Sequence, residues 1–288
     1  MRKSLKIFSL VLVLAAVLVA ACTSDASEET KGRVKLAYVQ WADAEASTAV
    51  ASAVLEDMGY EVKEDVVSAG VMWTAVANGD ADAFVCGWLP YTHAPYWKRY
   101  KDDVVDLGAY YKGARIGLVV PKYVPIESIE ELKDHRSEFD GKIVGIEPGS
   151  GIMIHTREDT MPGYNLEDWN LMESSGPAMT AQLDRTINRK EWIVITGWKP
   201  HWMFFKYDLK FLKDPKKAYG GSEELHAIAR KGLKKDMPEV AKVLKNFYMT
   251  DEELGEVMYE INVKHIRPKE AARKWVDEHP DVVKEWIS

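Results

Sequence analysis

Cysteine is nearly absent. Cys22 and Cys86 are the only two in 288 residues, too few for a disulfide-stapled scaffold. No cluster of His, Cys, Asp or Glu has metal-ligand spacing, so neither a metal site nor a cofactor site is legible. The Gly-x-Ser-x-Gly elbow of secreted hydrolases is missing. So is the Gly-Lys-Ser/Thr ending of a phosphate loop. Basic patches are lacking and the net charge is −7, which argues against nucleic acid as a partner. There is no internal repeat. Only one long apolar run occurs, Ile7 to Ala21, and at about fifteen residues it is short for a bilayer span.

That run is preceded by Arg2, Lys3 and Lys6 and ends Leu18-Val19-Ala20-Ala21-Cys22. A positive start and an apolar middle make residues 1–21 a signal peptide. Small residues directly before cysteine resemble the bacterial lipobox, which implies cleavage before Cys22 and lipid on its sulfur. The alternative is an ordinary cut after Ala21, with Cys22 incidental. Residues 22–33 read as a lipidated tether, polar and flexible. If Cys22 is lipidated, Cys86 has no partner and is a small buried hydrophobe in an apolar strand.

The whole chain is 47% hydrophobic and 29% charged, a globular rather than a disordered balance. Ten tryptophans are many, and most are expected in the core. Three stand apart. Ile193 to Thr196 is a β-branched run that stops at Gly197-Trp198, with Pro200, His201 and Trp202 directly behind. Val34 to Gln40 runs into Trp41, and Ala81 to Gly87 runs into Trp88-Leu89-Pro90. Gly and Pro punctuate strand ends, which puts Trp198 just past the carboxyl end of a buried strand. Ligands of open α/β sheets bind outside those ends.

In chain order, the spacing predicts a strand at Val34–Gln40, a helix at Ala44–Met58, a strand around Tyr60–Val66, a short helix ending at Asn78-Gly79, and the Trp88 strand. This βαβαβ order is that of a parallel sheet covered by helices. A strand over Ile116–Val120 carries the chain out of a first lobe. A second sheet follows at Lys142–Ile146 and in the Trp198 strand, with helices near Ile152 and over Ala178–Asn188. Leu225 to Ala229 reads as a strand returning to the first lobe. The rest reads as helices, with capping boxes at Ser128/Glu131 and Thr250/Glu253, and Pro268 and Pro280 in first turns. Two lobes result, 34–115 with 213–288 and 116–212.

Indole faces are the best partners for a cation that offers no N–H, each giving ~0.5–2 kcal/mol. The turn Pro148-Gly149-Ser150-Gly151-Ile152 leads into a helix N-terminus, where free N–H groups attract anions. His93, five residues after Trp88, is placed to donate to the same anion; the competing reading is an ordinary surface or structural histidine. His201 reads as support for the Trp198 strand end. A cation cage facing an anion nest describes a zwitterion with a quaternary nitrogen and a carboxylate.

Five segments carry a resemblance: 37–41, 72–75, Gly87-Trp88-Leu89-Pro90, Gly149-Ser150-Gly151-Ile152-Met153, and Gly197-Trp198-Lys199-Pro200-His201-Trp202-Met203-Phe204. Together they resemble the substrate-binding lipoproteins of bacterial ABC importers for glycine betaine and proline betaine, over roughly residues 34–287. The resemblance implies a two-lobed α/β fold of the periplasmic-binding-protein type (type II), with ligand in the cleft between lobes. It implies that Trp41, Trp88 and Trp198 box the trimethylammonium group, and that Gly151 and Ile152 N–H groups with His93 hold the carboxylate. Trp73 and Trp202 match positions outside the cage, as packing. Gln40, beside Trp41, stands where the family sometimes has a small residue and bears on which betaines fit. The implied protein has no catalytic residues. It is a monomer held outside the cytoplasm by lipid on Cys22, and it works with a membrane permease and a separate ATPase in osmotic protection.

Three other readings compete. A choline- or carnitine-binding protein of the same importer class is the nearest, but choline leaves the nest and His93 unpaired, and carnitine is longer than the box. A hydrolase of cationic esters would need a partner pair for Ser150, and no His-Asp pairing is evident. A receptor's sensing domain is disfavoured by the lipobox and the lack of a transmembrane helix.

Overall fold

The computed structural model describes residues 30–288. The expected signal peptide at 1–21, the expected lipidation at Cys22 and the expected tether as far as residue 29 fall outside the described residues. Among the described residues no helix is long and apolar enough to cross a membrane.

Strand β1 (Arg33–Tyr38) pairs in parallel with β2 (Glu61–Val66) and β3 (Ala83–Leu89). Helix α1 (Ala42–Asp57) and helix α2 (Ala69–Asn78) make the crossovers, as the βαβαβ order predicted. Every residue of β3 is buried, which its unbroken apolar run Ala83-Phe84-Val85-Cys86 requires of a central strand. β2 lies at the sheet edge, and its Glu61, Lys63, Glu64 and Asp65 blunt that edge against pairing. Helix α1 is built from Ala, Ser and Val and is buried along most of its length. Gly79 ends α2 in the left-handed conformation that favours glycine.

The sheet continues beyond β3 through β9 (Glu223–Arg230) to β4 (Val104–Pro121) and then to β7 (Ile195–Lys199), β5 (Lys142–Val144) and β6 (Asn170–Met172). β8 (Leu209–Phe211) pairs with the end of β4. β4 is the connecting element. Val104 to Ala114 pairs with β9, and from Arg115 onward the same strand pairs with β7. It runs for 18 residues, where the sequence suggested only Ile116–Val120. The returning strand at Leu225–Ala229 is found as β9, between β3 and β4.

Short helices α3 (Ala94–Tyr100) and α4 (Gly151–His155) lead away from the Trp88 and Gly151 turns, and α4 continues through one π turn over Thr156–Thr160. Helix α5 (Gly176–Asn188) follows β6. After β9 the chain is helical to its end. Both capping boxes form, Ser128 with Glu131 on a 3₁₀ helix and Thr250 with Glu253 on an α-helix, and Pro268 and Pro280 open their helices. In the last but one helix, Pro268–Glu278, Arg273 reaches back to Asp57 and to the Ala53 carbonyl of α1. Cys86 is a buried free thiol, with Sγ 3.2 Å from Met72 Sδ.

Candidate ligand-binding site

Trp88 and Trp198 are each the next-to-last residue of their strands, β3 and β7. The sequence reading had Trp198 just past its strand. The strand instead extends through it, because Ile116 to Val119 of β4 continue the ladder opposite Trp198 to Ile195. Trp41 stands between β1 and α1 in extended conformation, as the residue preceding the first helical turn. All three indoles are buried. Together with Thr92, His93, Ile116, Ile146, Ser150, Gly151 and Ile152 they line one small cavity. All six residues named from the sequence meet there.

His93 is wholly buried. Its Nδ1 accepts from the Trp88 backbone N–H at 3.1 Å, so the ring proton resides on Nε2. Nε2 is buried and has no partner among the described residues. Burial, with a smaller push from His155, lowers the His93 pKa from 6.5 to about 3. The ring is therefore a neutral donor with its N–H unspent. Across the cavity, Ser150 N–H bonds the Glu147 carbonyl, and Met153 and Ile154 N–H both bond the Ser150 carbonyl. The N–H groups of Gly151 and Ile152 are left without an acceptor among the described residues. Position 151 tolerates no side chain: a Cβ there would come within 2.1 Å of the Thr92 carbonyl oxygen.

His201 is also buried and lowered to about 3 by burial; its Nδ1 accepts from Met203 N–H, and its ring packs edge-on to Trp198 at 4.6 Å. It supports the strand end, as read. Trp73 and Trp202 lie outside the cavity lining. Trp73 is fully buried against Phe84, Tyr96 and His93, and Trp202 packs on His201 and Tyr207.

Two carboxylates went unread in the sequence. Asp43, in the first turn of α1, is fully buried and accepts the Trp198 Nε1–H at 2.9 Å. Glu147 accepts the Trp41 Nε1–H at 2.5 Å. The bonds are reciprocal: Trp41 of segment 33–115 is held from segment 116–212, and Trp198 the other way round. Tyr96 Oη–H adds a third crossing by donating to the Gly149 carbonyl at 2.7 Å. Burial raises the Asp43 carboxyl from 3.8 to about 7, against the opposing donors Trp198, its own N–H, Trp88 and Ala44 N–H. Burial also raises Glu147. The available signal was Asp43 two residues after Trp41, at a helix N-terminus that favours an acid. Among the described residues no group of three His, Cys, Asp or Glu is arranged to hold a metal ion.

The model of the substrate-binding domain of ABC-type glycine betaine transport systems matches residues 32–278. The chain belongs to this family. It is similar to lactococcal OpuAC in its closed-liganded conformation complexed with glycine betaine, at 43% identity and TM-score 0.85, over 89% of this chain and 100% of that one. It is also similar to an ABC-transporter choline-binding protein in complex with choline, at 30% identity and TM-score 0.82, over 88% and 91% of the two chains. A stretch of 156 residues is 47% identical to the glycine betaine/carnitine transport binding protein GbuC of Listeria monocytogenes. That match covers 54% of this chain and about half, 51%, of the listerial protein. The fold is thus the mixed α/β fold of periplasmic binding proteins.

The raised Asp43 pKa has a consequence in the ligand-free protein. Its folded value exceeds its unfolded one, so its stabilising contribution is complete below about pH 4 and is lost as pH rises through about 7. Asp43→Asn removes this dependence and keeps an acceptor for Trp198. Thermal unfolding from about pH 4 to about pH 8 should show the variant gaining on the wild type as pH rises; parallel curves contradict the assignment.

Proposed function

We propose that the chain is the extracytoplasmic substrate-binding component of an ABC importer and that it captures glycine betaine, with proline betaine as a second ligand. The observation that carries this is the convergence on one small cavity of three indoles and three residues with unspent N–H donors. The indoles of Trp41, Trp88 and Trp198 attract the trimethylammonium group through their quadrupoles, where no hydrogen bond is available. The His93 Nε2–H and the Gly151 and Ile152 N–H groups take the carboxylate. The neutral histidine donates without bringing a positive charge toward the cation. Buried Asp43 holds the Trp198 N–H edge, and its ionised fraction adds negative charge beside the cage.

The likeness to a choline-bound protein raises choline as a second ligand class. Choline has a hydroxyl where betaine has a carboxylate, so it leaves donors unpaired at ~1–3 kcal/mol each. Carnitine is longer than the cavity favours. The protein binds and releases without catalysis, as a monomer. Two lobes, 34–115 with 213–288 and 116–212, close around the ligand like a hinge, with β4 as one crossing strand. Lipid on Cys22 holds the protein to the membrane beside the permease and ATPase subunits, and the uptake serves osmotic protection.

Two substitutions test the division of labour. Trp88→Ala should weaken glycine betaine by about 10-fold or more, from ~1–2 kcal/mol per desolvated face, with folding retained by circular dichroism. Retained affinity contradicts the cage. His93→Ala should weaken glycine betaine by roughly 10- to 100-fold, the range of a hydrogen bond to a charged group, and choline far less. Equal losses for both ligands remove His93 from the carboxylate.

A further inference from the structure

Glu223 is a buried acid outside both the cage and the nest. It is the first residue of β9 and pairs with Ala114 of β4, one residue before that strand leaves β9 for β7. One carboxylate oxygen, Oε2, accepts from Tyr91 N–H at 3.0 Å and from Thr92 N–H at 2.7 Å. The other, Oε1, accepts from the Thr92 hydroxyl. No cationic side chain among the described residues lies within ion-pair distance of it. Three donors from two adjacent residues are thus its whole recompense for losing water, and leaving such a group unpaired is costly.

Those two residues form the turn that carries His93. The turn is closed on its inner side by Trp88 and His93, through His93 N–H to the Trp88 carbonyl at 2.9 Å and Trp88 N–H to His93 Nδ1 at 3.1 Å. Glu223 closes its outer side. Thr92 is also the residue whose carbonyl oxygen lies against Gly151, where no Cβ fits. The turn therefore sets two distances at once: that of the His93 donor from the cavity, and that of the Gly151 and Ile152 donors from His93.

We infer that Glu223 is a positioning residue for the carboxylate half of the site, fixing the Tyr91-Thr92-His93 turn so that the histidine and backbone donors converge on one anion. This rests on the betaine reading above. None of the hydrogen bonds of Glu223 goes to a cavity-lining indole, so its influence falls chiefly on the end of the ligand that carries the carboxylate. Glutamine can do the same work, with its oxygen accepting the two N–H groups and its amide donating to the Thr92 oxygen. Alanine cannot.

The test uses Glu223→Ala, Glu223→Gln and Thr92→Val in the full chain. Affinities for glycine betaine and choline are read by tryptophan fluorescence, and amide exchange of Thr92 and His93 by NMR. Glu223→Ala should weaken glycine betaine by about 10-fold or more and choline by less than about 3-fold, the scale of a misplaced charged hydrogen bond. The Thr92 and His93 amides should exchange faster, and Glu223→Gln should restore both readouts. Parallel losses for the two ligands, or unchanged betaine affinity in a folded Glu223→Ala protein, overturn the inference. Should Glu223→Ala fail to fold, Thr92→Val carries the test through the same betaine-to-choline ratio. Failure of the wild type to bind betaine overturns the functional reading instead. Amide exchange then still decides: unchanged protection in Glu223→Ala shows that Glu223 does not hold the turn.

Discussion

A buried indole has two demands that must be met by different neighbours. Its N–H edge needs an acceptor, and its faces must stay free if they are to receive a cation. Here the edges of Trp41 and Trp198 are satisfied by Glu147 and Asp43, each drawn from the other half of the chain. The rings are thus fixed by their edges, and both line one cavity. The cost falls on the acids, whose burial raises both carboxyl groups.

The opposite end of the cavity follows a complementary rule. In the proposed site, the donors for an anion carry no full charge: a histidine kept neutral by burial, and two first-turn N–H groups. A lysine or arginine there would repel the quaternary nitrogen a few ångströms away. The backbone supplies the geometry. β3 and β7 end one residue past Trp88 and Trp198, the Trp88 turn brings His93 back under its own strand, and a glycine at 151 lets the second segment come into contact with Thr92. β4 joins the two sections of sheet within a single strand.

Much of this was legible in the sequence because it is local. β-Branched and apolar runs broken by Gly-Trp and Pro located β3 and β7, although β7 runs on through Trp198. The Ser128/Glu131 and Thr250/Glu253 pairs gave helix starts, and Pro148 to Ile152 gave the strand-to-helix turn. The first part of β4 was not legible. Val104 to Arg115 contains Gly108 and Gly113, both at positive φ, and the pairing with β9 shifts register three times. Bulges of this kind destroy the alternation that marks a strand. The three-residue strands β6 and β8 are too short to carry a period. Asp43, Glu147 and Glu223 were missed for a different reason. Each reads in sequence as an ordinary helix-start, turn or strand-edge acid, and only the meeting of distant segments shows which N–H groups they serve.

A single cavity that takes a cation at one end and a carboxylate at the other must tell glycine betaine from choline. In calorimetric titration of the folded protein at fixed salt, glycine betaine should bind saturably and one-to-one, and choline much more weakly. Equal binding of the two would keep the cage and remove the carboxylate nest, and binding of neither would reduce the three tryptophans to packing.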